Sequence, residues 1–438
     1  MGKSIVMVKF FKKQSPARII AFGFIAVIFL GSLILMLPCS VQDGVELRYI
    51  DSLYTSTSAV CVTGLIAVDA GDTFTPLGQF FLAMLIQVGG LGVTTIGVGI
   101  IIARRKKVDL KSINIIKEAE NLDSGRGIVS FVKSIFITTL IFELLGGVLS
   151  FLVFSQDYSF FKAIGISIFH SIAAFNNSGF DILGGFQNLV PYKENILINV
   201  TTCGLIFFGG IGFLVIREIY EKRFNWKKFS MHTKSVLLVS VVLIVAGTIL
   251  LKLTEDISLL GAFFHSVSAR TAGFSTYPLK NFSKAGLLTI TVLMFIGASP
   301  GSTGGGIKTT TFLVLLQGIK ASATNKAEKV FHYAIPKNAF HKASIITFMA
   351  LGVVVLGTFL MLIMESQITF IDALFEVTSA FGTVGLSTGI TPNLSIGSKL
   401  LSIMIMYIGR LGPLTIATIW CSSKGERVSF PEGNLAIG

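Results

Sequence analysis

Charge is scarce in this chain. Of 438 residues only 13% are charged, while 52% are hydrophobic; soluble domains carry about 25% charged residues. That balance excludes a soluble enzyme or a soluble binding module as the body of the protein. Cysteine is equally sparse. Cys39, Cys61, Cys203 and Cys421 are scattered without CxxC spacing, which argues against a disulfide framework and against a thiolate metal site. The five histidines are dispersed, and no His/Asp cluster points to catalysis, so the chain reads as a non-enzyme. A Walker phosphate loop is missing too: Gly301-x4-Gly306-Ile307-Lys308 has one residue too many before the lysine. A cleavable leader is not expected. The first apolar run follows basic residues, but it is too long and no small-x-small site follows it. Leu-Pro-Cys39 faintly resembles a lipoprotein site, against which Pro38 argues.

What the chain has in quantity is apolar runs and glycine. Runs of roughly 20 apolar residues are candidate membrane spans. Eight are expected, at 18–38, 77–102, 129–154, 195–216, 234–253, 285–316, 343–364 and 399–420. Between the members of each pair lies a shorter half-apolar segment: 51–64, 160–179, 258–273 and 371–385. None is long enough to span. Such re-entrant segments are tolerated at membrane depth only when buried in protein or lining water.

Orientation follows from the cations. Lys3, Lys9, Lys12, Lys13 and Arg18 precede the first span. Arg104, Arg105, Lys106, Lys107, Lys111, Lys117 and Arg126 follow the second. Arg217, Lys222, Arg223, Lys227, Lys228 and Lys234 follow the fourth, and Lys320, Lys326, Lys329, Lys337 and Lys342 the sixth. Both termini are therefore expected in the cytoplasm, with the re-entrant segments entering from outside. The net charge of +13 is mostly this bias and calls for no nucleic-acid partner.

The re-entrant segments repeat one phrase. They end Ala-Val-Cys-Val62-Thr63-Gly64-Leu, Ala-Phe-Asn-Asn177-Ser178-Gly179-Phe, Ser-Ala-Arg-Thr271-Ala272-Gly273-Phe and Ala-Phe-Gly-Thr383-Val384-Gly385-Leu. An upstream aromatic recurs at Tyr54, Phe169, Phe263 and Phe375 in an alignment gapless over about fifteen positions, which marks an internal repeat. The expected fold is an all-α membrane protein: one membrane domain over 1–438, with four pseudo-repeats of helix, pore helix, filter loop and helix around one central pore. The repeats run approximately 15–105, 126–220, 231–320 and 340–424. A dehydrated cation needs a ring of oxygens, and backbone carbonyls of extended segments supply one. Glycine permits the required φ and close approach. Short helices aim the negative ends of their dipoles at the ion. The plain alternative for any single copy is a glycine C-cap.

These motifs, as an ordered set, resemble the Trk/Ktr/HKT superfamily of potassium transporters, and the whole chain looks most like the Ktr membrane subunit. The resemblance implies uptake of K+, Na+ as a possible activator, and no further cofactor. It also implies a homodimer in the cell membrane, in contact with lipid, docked on a cytosolic nucleotide-binding ring that senses ATP and ADP. One glycine per repeat implies one principal cation site. The competing reading is a proton- or sodium-coupled secondary transporter, for which Glu143 and Glu376 are the carboxylate candidates.

The sixth span is interrupted by Gly297-Ala-Ser299-Pro300-Gly301-Ser-Thr-Gly304-Gly305-Gly306-Ile-Lys308. Glycines and proline at this density end a helix. The resemblance implies an intramembrane gating loop under the filter; the alternative is a structural kink. Arg410 stands alone in the eighth span, where insertion costs about 2.5–3.5 kcal/mol. By the resemblance it projects into the pore; the alternative is snorkelling toward the interface near Trp420. Arg270 and Glu376 are expected to pair behind the filter. Asp51 and Asp372 match across repeats and read as N-caps. Glu143 has no nameable partner.

Overall fold

The computed structural model describes residues 15–104, 108, 110–119, 127–336 and 338–420. Lys3, Lys9, Lys12, Lys13, Arg105, Lys106, Lys107, Arg126, Lys337 and Cys421 lie outside them, as does the side chain of Lys111.

Sixteen helices carry the architecture. They are α1 Pro16–Leu35, α2 Tyr49–Val60, α3 Pro76–Leu91, α4 Val93–Ala103, α5 Ile128–Phe154, α6 Phe160–Phe175, α7 Ile196–Ile211 and α8 Phe213–Glu221. The second half holds α9 Met231–Thr254, α10 Leu259–Ser268, α11 Lys284–Phe295, α12 Thr309–Thr324, α13 Ala339–Met364, α14 Phe370–Gly382, α15 Ile396–Leu411 and α16 Pro413–Trp420. The order long helix, short helix, glycine turn, broken helix pair runs four times along the chain. Among the described residues there are also two lesser α-helices, Ala70–Thr73 and Leu110–Ala119, four single-turn 3-10 helices and one two-stranded hairpin.

The helices begin where the sequence supplies caps. Ser15, Thr75, Asn195, Ser230, Ser258, Ser283, Thr369 and Ser395 each accept a backbone N–H of the first turn, satisfying donors a helix end leaves orphaned. Asp51 and Asp372 are not caps. Arg48 occupies the N-cap of α2 without a side-chain bond, and Thr369 caps α14. Both aspartates sit at the third helical position. Asp372 N–H donates to Thr369 Oγ1, whose hydroxyl in turn donates to the Asp372 carboxylate at 2.6 Å. Asp51 accepts from Lys399 Nζ and Arg48 Nε, each at 2.7 Å.

Four helices, α1, α5, α9 and α13, are long and apolar enough to cross a membrane. Their outward residues, such as Leu140, Leu144 and Val148 on α5, are exposed, while small residues turn inward, the arrangement expected in lipid. The other expected spans are not continuous. The pair α3/α4 bends by 96° and α7/α8 by 97°. The bends fall at Gly92 and Gly212, whose φ values of +84° and +94° suit glycine. Gly412, at +87°, stands at the same place between α15 and α16. Between α11 and α12 the loop 296–308 takes that position.

Each long helix receives its short helix in the same way. Ser56, Ser171 and Ser266 donate to the carbonyls of Ile28, Glu143 and Ile244, each at 2.7 Å. Three residues beyond each acceptor, Gly31, Gly146 and Gly247 leave room for the crossing: an added Cβ would meet a serine Oγ at 2.5, 2.6 and 2.4 Å. In the fourth quarter Gly357 packs on Val377 and Ile405. This register corrects the gapless alignment. Ser266 is one residue nearer its glycine than Ser56 and Ser171 are, and the buried aromatic is Phe264, with Phe263 only half-buried. The third quarter is one residue shorter between short helix and glycine.

Candidate functional site

The four short helices end in a common turn. Thr63, Ser178 and Val384 donate their N–H to the carbonyls of Ser58, Ala173 and Ser379, at 2.7–2.9 Å. These bonds span five residues, as in a Schellman ending. In the third, one residue shorter, Ala272 N–H reaches Ser268 O across four. The left-handed residue of the turn lies two places before each glycine: Val62, Asn177, Thr271 and Thr383 have φ of +56°, +57°, +80° and +50°. Left-handed backbone at a non-glycine residue, β-branched at three of these four, costs of order 1–3 kcal/mol and is found where surrounding structure enforces it. The cap position is therefore occupied before the glycine arrives. Gly64, Gly179, Gly273 and Gly385, with φ of +89°, +68°, +80° and +95°, are left for another task.

That task is close approach. A Cβ added to Gly64 would lie 2.1 Å from the carbonyl oxygen of Ser178. On Gly179 it would lie 2.8 Å from Ala272 O, on Gly273 2.3 Å from Val384 O, and on Gly385 2.2 Å from Thr63 O. The relation closes on itself: each segment abuts the next, and the fourth abuts the first. All twelve residues singled out at these segments are buried or glycine, and they come together in one cluster. Outside the ring lies a cavity of about 440 Å³ lined by the four glycines with Asn188, Ser275 and Thr391.

The glycine-rich loop crosses directly inside the ring. Its neck is closed by a bridge between Ile296 and Ile307. Gly304 is pressed against Thr271 Oγ1, which an added Cβ would meet at 2.1 Å. Gly305 N–H donates to Thr383 Oγ1 at 2.9 Å. Ser299 and Thr303 N–H donate to Gly210 and Gly209 carbonyls at 3.0 and 3.3 Å, and Phe213 N–H donates to Gly301 O at 2.9 Å. Ser299 Oγ pairs with Thr309 Oγ1, and Lys308 Nζ donates to Gly304 O at 2.8 Å. Glycine content suggests a segment with few contacts. Instead the loop is held by hydrogen bonds to the second and fourth quarters and by close packing on the third, because bare backbone at this density offers its own donors and acceptors. Gly301 and Gly306 take φ of +66° and +69°, where a side chain would be strained.

Arg410 completes the arrangement. Its guanidinium donates to the carbonyls of Thr303 in the loop and of Gly89 and Gly90 at the end of α3, the last two at 2.5 and 3.3 Å. It lines a cavity of about 180 Å³ together with Gly301, Gly304, Gly306 and Lys308. A repeated phrase marks the place: Gly89-Gly90-Leu-Gly92, Gly209-Gly210-Ile-Gly212 and Gly409-Arg410-Leu-Gly412. The arginine occupies the position of Gly90 and Gly210.

Arg270 and Glu376 do not pair. Arg270 Nη1 and Nη2 donate to Ser240 O and Oγ at 3.0 Å, on the helix of its own quarter. Glu376 accepts from Ser387 Oγ at 2.7 Å and from Thr391 Oγ1. Each bonds within its own quarter, Arg270 to the long helix α9 and Glu376 to the segment that follows Gly385. Glu143 gains partners that the sequence does not disclose, Asn176 and Gln87.

Asn188 is a further residue without a sequence signal, since it has no counterpart in the other quarters. Its Nδ2 donates to Gly179 O at 3.2 Å and to Asp181 Oδ2 at 2.9 Å, and its Oδ1 accepts from Ser275 N at 3.0 Å. It ties the second segment to the third. In that outer loop burial, aided by the charges of Asp69 and Asp72, pushes the half-buried Asp181 carboxyl up to about 7, against the N–H of Leu183 and the amide of Asn188.

A family model described as TrkH, cation transport protein, matches residues 9–424. The chain is 36% identical to the Ktr system potassium uptake protein B of Bacillus subtilis over 437 residues, covering 97% of each. It is 34% identical to the potassium/sodium uptake protein NtpJ of Enterococcus hirae over 447 residues, covering 98% of each. The crystal structure of the potassium transporter TrkH from Vibrio parahaemolyticus shares the fold with a TM-score of 0.74 at 18% identity, over 93% of this chain and 86% of that one. The helical, multi-pass chain whose four glycine segments close into one ring belongs to the TrkH family of cation transport proteins.

Proposed function

We propose that this chain is the pore-forming subunit of a potassium-uptake system in the cell membrane. The observation that carries the reading is the closed ring in which each glycine meets the carbonyl of the next segment. Four such segments around one axis can offer a dehydrated cation a cage of backbone oxygens. Val62–Gly64, Asn177–Gly179, Thr271–Gly273 and Thr383–Gly385 would form it, within one membrane domain of four quarters, approximately 15–105, 126–220, 231–320 and 340–424. Four apolar helices and two bent pairs support six crossings; eight would require the split pairs α11/α12 and α15/α16 to cross as well.

Gly297, Ser299, Pro300, Gly301, Gly304, Gly305, Gly306, Lys308 and Arg410 would form the gate. The loop lies across the inner side of the ring, and the guanidinium adds a positive charge there. Opening means breaking the bonds of Thr303 and Gly305 to the neighbouring quarters. The cation-rich connections support cytoplasmic termini. The names of relatives as members of Ktr systems support a multi-component system; the proposed assembly is a second copy of this chain on a cytosolic nucleotide-binding ring that senses ATP and ADP. The name of the Enterococcus hirae relative supports Na+ as a second transported ion; a role for Na+ as activator is part of the proposal. Coupled transport would need a carboxylate relay, and Glu376 is already engaged with Ser387 and Thr391.

The deciding experiment is cation flux into liposomes holding this chain alone, with K+, Na+ and proton gradients varied separately. Flux that follows the K+ gradient supports the pore. Flux that requires a proton gradient refutes it.

A further inference from the structure

Glu143 breaks the fourfold pattern. The matching residues of the other long helices are Ile28, Ile244 and Val354, judged by the serine contacts and by Gly31, Gly146, Gly247 and Gly357 three residues on. The main chain of Glu143 does there what Ile28 and Ile244 do: its carbonyl accepts from Ser171. Packing of α5 on α6 therefore does not require the carboxylate. The side chain stands half-buried between two largely apolar clefts of about 450 and 430 Å³. A carboxylate at such a place is costly and marks function more often than packing.

The carboxylate works on the second glycine segment. Asn176 Nδ2 donates to Glu143 Oε1 at 3.2 Å, to Gln87 Oε1 at 2.8 Å and to Ile172 O at 2.9 Å. Gln87 is also a hydrogen-bond partner of Glu143. Asn176 is fully buried and leads into the left-handed Asn177, whose amide meets Thr271 Oγ1 of the third segment at 3.2 Å. Then come Ser178 and Gly179. On the far side, Gly90 leaves the space Asn176 fills: an added Cβ would lie 2.0 Å from Asn176 Oδ1. The corresponding residues elsewhere are Cys61 and Gly382, which cannot make such contacts, and Arg270, which bonds to its own long helix.

We propose that Glu143 is a positioning residue for ion discrimination: with Gln87 it fixes Asn176, and through it the turn that aims the Ser178 carbonyl at the ring. The inference rests on the pore reading. It makes the second segment the one whose geometry is set from outside the ring, by a residue reached from the membrane-facing clefts.

The test compares K+/Na+ selectivity and thermal stability of wild type, Glu143→Leu, Glu143→Gln and Gln87→Met in liposome flux. Glu143→Leu restores the apolar type of its three counterparts and should fold. Its K+ preference should fall about tenfold, the scale of one lost hydrogen bond to a buried donor. Glu143→Gln keeps an oxygen for Asn176 and should stay within about twofold of wild type. Glu143→Leu with wild-type selectivity would overturn the proposal, as would Glu143→Gln that is as unselective as Glu143→Leu. Should Glu143→Leu fail to accumulate, Gln87→Met decides alone: weakened K+ preference supports the role and an unchanged one overturns it. Wild-type vesicles that pass no cation would instead overturn the pore reading, and this inference with it.

Discussion

Adding one methyl group to each ring glycine in turn tests the ring more sharply than a survey of substitutions. Ordinary contact for a Cβ begins at 3.4 Å. At Gly64 the new methyl would stand 2.1 Å from Ser178 O, so the two segments must part by about 1.3 Å; at Gly385 and Gly273 the figures are about 1.2 and 1.1 Å. At Gly179 the distance is 2.8 Å and the retreat only about 0.6 Å. Every variant also places a Cβ in left-handed backbone, at about 1–2 kcal/mol. That second cost is common to the four, so differences between them report the ring spacing. Displacements near 1 Å exceed the difference in radius between K+ and Na+. K+ preference should fall about tenfold or more, near 1.4 kcal/mol, in Gly64→Ala, Gly273→Ala and Gly385→Ala. Gly179→Ala should lose the least. The assay is uptake into liposomes with K+ and Na+ in competition, beside thermal melting in detergent. Four unchanged selectivities, or Gly179→Ala as the worst of the set, would refute the reasoning.

Arg410→Ala removes a guanidinium that bridges Thr303 with Gly89 and Gly90; K+ flux should rise or escape the regulator, and an unchanged flux in well-folded protein would count against the gate. Thr383→Val removes the acceptor of Gly305 N–H, and a deletion within Gly301–Gly306 shortens the barrier. Both should raise basal flux while ion preference changes less, measured with and without the regulator. Lys399 is 1% exposed and bonds to Asp51, which is 5% exposed, so Lys399→Met leaves that carboxylate with the exposed Arg48 alone and should cost stability, below the roughly 3–5 kcal/mol of a fully broken buried pair, read by thermal unfolding in detergent. Asp181, its carboxyl pushed up to about 7 by burial, binds its proton in the folded state at a pH where the unfolded chain has released it. Its contribution to stability therefore grows as pH falls from 7 toward 4 and fades as pH rises through 7. Asp181→Asn should flatten that slope in melting curves taken across the interval.

The sequence by itself determined the membrane setting, the four short helices, the glycine turns and the place of the loop. Each of these is written locally, in apolar run length, capping residues and the conformational needs of glycine. The breaks at Gly92 and Gly212 lay inside runs expected as single spans, 77–102 and 195–216, although Gly-Gly-Leu-Gly and Gly-Gly-Ile-Gly repeat one phrase there. Arg410 stands out because it fills a glycine position of that phrase. What the tertiary structure decided is which groups face each other across quarters. The one-residue shortening of the third quarter is invisible to an alignment anchored on Gly273. It emerges when Ser266 meets the carbonyl of Ile244 and Phe264 takes the buried place. Opposite charges at one depth suggested a pair of Arg270 with Glu376, yet each is satisfied within its own quarter, by Ser240 and by Ser387 with Thr391. Asp51 was expected as an N-cap but sits within the first turn of its helix, and its bond to Lys399, 348 residues away, depends on the first and fourth quarters meeting. Spacing along the chain sets the turns; only the closing of the ring brings Gly385 to Thr63 and sets which oxygens a cation could meet.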